Sequence, residues 1–134
     1  MSQSEMFANL GAPLNNVRWS WGAVRNADGV VFLRVWQDGT KKINEKRYIW
    51  ISDQNPAEGD LGASERLRHI KLVESGQSCY LVMCQAVDIG ARPREVQSFN
   101  AKEVFEAGEV LTLEGSYWIE LKVRVPVGKL VLTS

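Results

Sequence analysis

An Asp28-Gly29 pair stands between two runs of strand-forming residues, and it constrains the fold more than any other short segment. Asp-Gly flanked in this way favours a tight hairpin, because the turn needs backbone angles that these residues tolerate. The expected arms are residues 17–25 and 30–36. Three of the five tryptophans (Trp19, Trp21, Trp36) and three arginines (Arg18, Arg25, Arg34) fall within them. Trp19 and Trp21 are two residues apart, so a strand would place them on one face. Indole beside guanidinium stacks on nucleobases and equally builds ordinary cores. The residues alone leave both readings open.

The second arm, Val30 to Trp36, is apolar on both faces except at Arg34, which predicts a central strand. Cys79 to Val87 has the same character. Lys46 to Ser52 is rich in β-branched and aromatic residues and predicts a further strand. Tyr117 to Val125 alternates: Tyr117, Ile119, Leu121, Val123 and Val125 on one face, Trp118, Glu120, Lys122 and Arg124 on the other. That pattern predicts a half-buried strand with Tyr117, Ile119, Leu121 and Val123 pointing inward. Glu109 to Leu113 pairs with it across Glu114-Gly115-Ser116, a short strand is expected near 95–99, and residues 129–132 are expected to pair at an edge.

Helical signals are fewer. Residues 1–12 read as an N-terminal turn or short helix carrying Met6, Phe7 and Leu10. Leu67, Ile70 and Val73 recur every three residues and predict a helix from an N-cap at Ser64 to Glu74, stopped by Gly76. The stretch 53–62 before it reads as a surface loop. Asn100 with Glu103 has the spacing of a capping box, which predicts a short helix ending at Gly108. With 134 residues the chain is expected to be a single domain, 1–134. The expected fold is α+β: a strongly bent, largely antiparallel six- or seven-stranded sheet or barrel with two short flanking helices. A barrel removes exposed strand edges at this size.

Composition narrows the chemistry. The formal net charge is zero, so no global field favours nucleic acid. The distribution is uneven: residues 17–47 hold Arg18, Arg25, Arg34, Lys41, Lys42, Lys46 and Arg47 against Asp28, Asp38 and Glu45. No apolar run is long enough to span a bilayer, and Met1 to Glu5 lacks the basic and apolar regions of a signal peptide, so the expected location is cytoplasmic, without a membrane partner. Cys79 and Cys84 are five apart on one expected strand. Their Cα atoms would be roughly 16 Å apart, too far for a disulfide. Phosphate-loop, dinucleotide, nucleophile-elbow and zinc-protease motifs are all absent, as is any metal-ligand spacing. The expectation is a protein without enzymatic activity and without a cofactor. An enzymatic reading would rest on His69 with Cys84, which could in principle make a base and a nucleophile.

Arg18-Trp19-Ser20-Trp21-Gly22-Ala23-Val24 together with Val31-Phe32-Leu33-Arg34-Val35-Trp36-Gln37 resembles a family of small bacterial domains found alone or fused to HNH nucleases. Glu65-Arg66-Leu67-Arg68-His69-Ile70, Tyr80-Leu81-Val82 and the stretch from Arg94 to Phe99 resemble it too. Such domains are similar to the PUA-like superfamily, with its SRA, EVE and ASCH members. The chain is also similar to uncharacterised proteins of mobile gene cassettes. The first resemblance implies a bent β-barrel that reads DNA or RNA, often at a modified or flipped base. A base would then sit in a cleft lined by Trp19, Trp21 and Trp50, with Arg34 lining the pocket and Arg18, Arg66 and Arg68 meeting phosphates. Arg66 and Arg68 diverge by about 200° on a helix, which favours Arg66 for that contact. Trp36 and Trp118 are assigned to packing. The alternative use of the same aromatic surface is a small-molecule site or a homodimer interface.

Overall fold

Val31–Trp36 (β2) and Cys79–Ala86 (β5) lie side by side in parallel, and the rest of the sheet grows from this pair. The structure is a computed structural model and describes residues 1–131. Around the pair stand Gly22–Val24 (β1), Thr40–Ile43 (β3), Lys46–Asp53 (β4), Val96–Phe99 (β6), Glu103–Leu113 (β7) and Ser116–Pro126 (β8). The eight strands form one mixed, mostly antiparallel sheet in the order β1-β2-β5-β7-β8-β4-β3, with β6 paired to β5. Two helices flank it, Gln3–Asn9 (α1) and Leu61–Glu74 (α2). The α+β class and the bent, mostly antiparallel sheet agree with the expectation; among the described residues the strands number eight rather than six or seven. The extra strand is β3, whose Lys41 and Lys42 are exposed and give no apolar signal. Among the described residues no helix is long and apolar enough to cross a membrane.

The sheet curls until β2 and β4 touch, yet no ladder joins them, so the curl stays open along a seam. Two cores follow. The inner one gathers Val31, Leu33, Val35, Ile49, Ile51, Cys79, Leu81, Ile119 and Leu121, with Ile70 of α2. The outer one lies under α1 and holds Met6, Phe7, Leu10, Phe32, Val82, Cys84 and Val104. Residues 79–84 alternate between the two, which is why β5 reads as apolar throughout. Burying each such side chain contributes about 1.5–3 kcal/mol. Cys79 and Cys84 are buried, free and in different cores.

Four expectations are corrected. Residues 103–108 are strand, not helix: the Asn100 Oδ1 does accept from the Lys102 and Glu103 amides, at 2.9 Å each, but the chain then extends into β7. Helix α2 starts a turn earlier than Ser64, because Asp60 Oδ1 caps it through the Ala63 amide at 3.0 Å. Val123 is 51% exposed rather than inward. Between the pairs Phe105–Arg124 and Ala107–Leu121, β8 carries one more residue than β7. A bulge of this kind reverses the faces, so Leu121 points to the inner core and Val125 to the outer. Finally, residues 129–131 form no strand; Val127–Lys129 is a single 3-10 turn, and residue 132 lies outside the described residues.

Candidate functional site

The seam between β2 and β4 is closed by one side chain. Arg66, on the buried face of α2, is 2% exposed. Its Nη1 donates to the Ile51 carbonyl on β4 at 2.8 Å, and its Nη2 to the carbonyls of Trp21 at 2.9 Å and Arg34 on β2 at 2.6 Å. Two of the three acceptors, the Ile51 and Arg34 carbonyls, are left open for physical reasons, while the Trp21 carbonyl is shared with a backbone amide. A bulge between Trp50 and Ser52 takes Ile51 out of the ladder with β8. The β1–β2 ladder ends at Leu33 and is followed by one more bond, from the Arg34 amide to the Trp21 carbonyl at 2.8 Å, which leaves the Arg34 carbonyl open. A planar guanidinium suits such divergent carbonyls, where an ammonium would not. The α2 backbone can approach because position 62 is glycine: a Cβ there would lie 2.7 Å from both the Trp19 carbonyl and the Trp21 indole nitrogen.

Glu65 anchors the same helix to the preceding segment. It is fully buried, and its Oε2 accepts from Asn15 Nδ2 at 3.0 Å and Ser20 Oγ at 3.3 Å. This fixes the approach of the chain to Trp21. Trp19 lies in a turn rather than on a strand, so the two indoles do not share a strand face.

Beside the Arg66 bridge the seam opens into a cleft of about 510 Å³. Its walls include Trp21, Trp36 and Trp50, with Arg34, Arg66, Asp38, Asp60 and the loop Arg92-Pro93-Arg94. Guanidinium carbons sit near the indole ring centres: Arg66 at 5.5 Å from Trp21, Arg34 at 5.8 Å and Arg94 at 5.4 Å from Trp36. Such distances allow a cation–π attraction. Arg94 also forks onto both Asp38 oxygens, at 2.7 and 2.9 Å, and this bond holds the Asp38 carboxyl below the usual carboxylate range.

The charges in the cleft do not cancel. Asp38 is taken by Arg94 and Asp60 by the α2 cap. Arg34 donates through Nη1 to Gln3 Oε1 at 3.0 Å, a neutral partner, and Gln3 in turn donates to Cys84 Sγ. Arg66 bonds only carbonyls, and its Nε has no acceptor among the described residues. Burial, and then the nearby Arg34 charge, push the Arg66 guanidinium down to about 10, so it stays charged at neutral pH.

Of the residues expected at a site, the cleft therefore brings together Trp21, Arg34, Trp50 and Arg66. Arg18 and Arg68 are exposed and do not line it, nor does half-buried Trp19. Arg66 is corrected in role: it is a structural bridge beneath the cleft wall, too enclosed to grip a phosphate. Sequence reasoning missed Trp36, Asp38 and residues 92–94. Trp36 had a signal, since it stands two residues after Arg34 on one strand and so shares its face. The 92–94 loop reaches the cleft through tertiary packing and had none.

The nucleophile–base pair does not assemble. Cys84 belongs to the outer core, while His69 is carried by α2, which packs on the inner one. Burial pushes His69 down to about 4 and the Cys79 and Cys84 thiols up to about 12 and 11. No group of three or more metal-ligating side chains occurs among the described residues. Comparison with protein-family models, with curated proteins and with solved structures gives no match to this chain.

Proposed function

We propose that the seam cleft receives a nucleobase of DNA or RNA, and that the protein is a reader of nucleic acid with no catalytic step of its own. One observation carries this reading: Trp21, Trp36 and Trp50 surround a single 510 Å³ cleft whose arginines outnumber its acids. The volume falls in the range of small-ligand sites, about 300–1,000 Å³. Indole faces are the surface on which a base stacks, at about 1–3 kcal/mol per base. A base displaced from a duplex costs a few kcal/mol, which stacking on two such rings offsets. The resemblance to PUA-like domains points the same way, towards a flipped or modified base. Arg92 is exposed at the cleft and among the described residues bonds only the Ile89 and Ala91 carbonyls, so it is the arginine best placed to meet a backbone phosphate.

Fluorescence anisotropy with labelled single- and double-stranded DNA and RNA, plain and cytosine-modified, across a salt series tests the reading. Affinity should fall steeply with salt, and Arg92→Ala should lower the salt slope by about one. Absence of binding to every oligonucleotide at low salt would remove the proposal.

A further inference from the structure

Two of the cleft's guanidinium groups are enclosed and form no ion pair among the described residues, Glu65 acting on Arg66 only through its field. Arg34 is half-buried with one neutral partner, and Arg66 lies behind it, almost wholly enclosed, with an idle Nε. Neither acid of the cleft forms an ion pair with Arg34 or Arg66: Asp38 pairs with Arg94, and Asp60 caps α2 through one oxygen. Buried cations are ordinarily paired, because the low dielectric makes a lone one costly. Here neither cation has a carboxylate in contact among the described residues, and both line the cleft.

We propose that the ligand supplies that anion: the cleft takes a nucleotide by its terminal phosphate, with the base stacked among Trp36 and Trp50 and the phosphate at Arg34. The inference rests on the base-binding reading and narrows its ligand to a phosphomonoester. A phosphomonoester carries about −1.5 to −2 charges at neutral pH, which matches Arg34 with Arg66 behind it, whose charge Glu65 offsets in part, better than the single charge of an internal phosphodiester. Arg34 makes the direct contact through nitrogens that Gln3 leaves free; Arg66 contributes its field from behind. Two sources share this chemistry, the phosphorylated end of a strand and a free nucleoside monophosphate.

Titration calorimetry of the full chain separates them. The ligands are nucleosides, their 5′- and 3′-monophosphates, and one single strand bearing either a terminal phosphate or a terminal hydroxyl. A phosphomonoester should bind roughly tenfold or more tighter than its hydroxyl counterpart, as expected for hydrogen bonds to a charged group. The advantage should shrink as pH falls below about 6, where the second phosphate charge is lost. In Arg34→Gln it should fall to within about twofold, and Arg34→Lys should keep part of it. Equal affinity for phosphate and hydroxyl forms in the wild-type protein overturns the inference, whether or not the variants fold. Strands that bind regardless of their end leave the base-reading proposal standing and remove this one. Monophosphates that bind where strands do not leave this inference standing, with the free nucleotide as its ligand, and remove the strand reading.

Discussion

The Arg66 guanidinium donates to the backbone carbonyl of Arg34 at 2.6 Å, so two like-charged side chains are tied through the main chain of one of them. Through the same group α2 ties β4 to β2 and the Trp21 segment, where no ladder joins β2 to β4. Replacing Arg66 by Ala leaves the Ile51 and Arg34 carbonyls without this donor, and we expect a loss of roughly 3 kcal/mol or more in urea unfolding. Arg66→Lys should recover only part, because one ammonium cannot span divergent acceptors. An Arg66→Ala protein as stable as the parent would mean that the seam is held by something else.

His69 gives the protein a pH dependence of known sign. The unfolded chain takes up a proton near 6.5, whereas burial, with Arg66 and Arg68 nearby, delays this to about 4 in the fold. The stability due to neutral His69 is therefore complete above pH 6.5 and declines as pH falls from there to about 4, by roughly 3 kcal/mol at most. Asp28 and Asp38, whose carboxyls are both lowered from 3.8, act only below this window. Denaturant titrations at several pH values should show the decline, and His69→Gln should flatten it. A variant with the parental slope would locate the proton uptake in another group.

The bulge on β8 predicts unequal costs for similar substitutions. Ile119→Ala opens a cavity in the inner core and should cost about 2–5 kcal/mol. Val123→Ala, two turns of the pleat further along, should stay within about 0.5 kcal/mol because that side chain is half exposed. Comparable losses at both positions would show that the alternation runs unbroken through residue 123.

Both thiols should resist chemistry in the folded protein. Burial raises Cys79 to about 12 and Cys84 to about 11, so neither supplies thiolate near neutral pH. Intact mass without reductant should show two free thiols, and alkylation at neutral pH should require denaturant. Rapid native labelling of either cysteine would contradict its place in a core.

The parts of this fold that sequence discloses are those where periodicity is carried by apolar side chains. Strands β2, β5 and β8 and the stripe Leu67, Ile70 and Val73 belong here, since burial imposes their pattern directly. Asn100 marks the opposite case. Its side-chain bonds to the amides two and three residues on serve a helix cap and a turn into a strand alike, and only pairing of Val104 with Val125 decides between them. Strand β3 is legible only through its partner β4, because its own side chains face solvent. The site divides likewise. Trp21, Arg34 and Trp50 were visible as aromatic and cationic residues on strand-like segments. Arg66 was visible as a cation but not as a bridge, because the bulge at Ile51 and the early end of β1 that create its acceptors leave no trace in composition.

The central claim, that a base stacks in the seam cleft, is tested most directly by anisotropy of labelled oligonucleotides with the wild-type protein and Trp50→Ala. Trp50 lines the cleft and takes no part in the Arg66 bridge. The account predicts low-salt binding by the wild type, weakened by about 1–3 kcal/mol in the folded variant with an unchanged salt slope, since stacking releases no counterion. Wild-type affinity in a folded Trp50→Ala protein would contradict it.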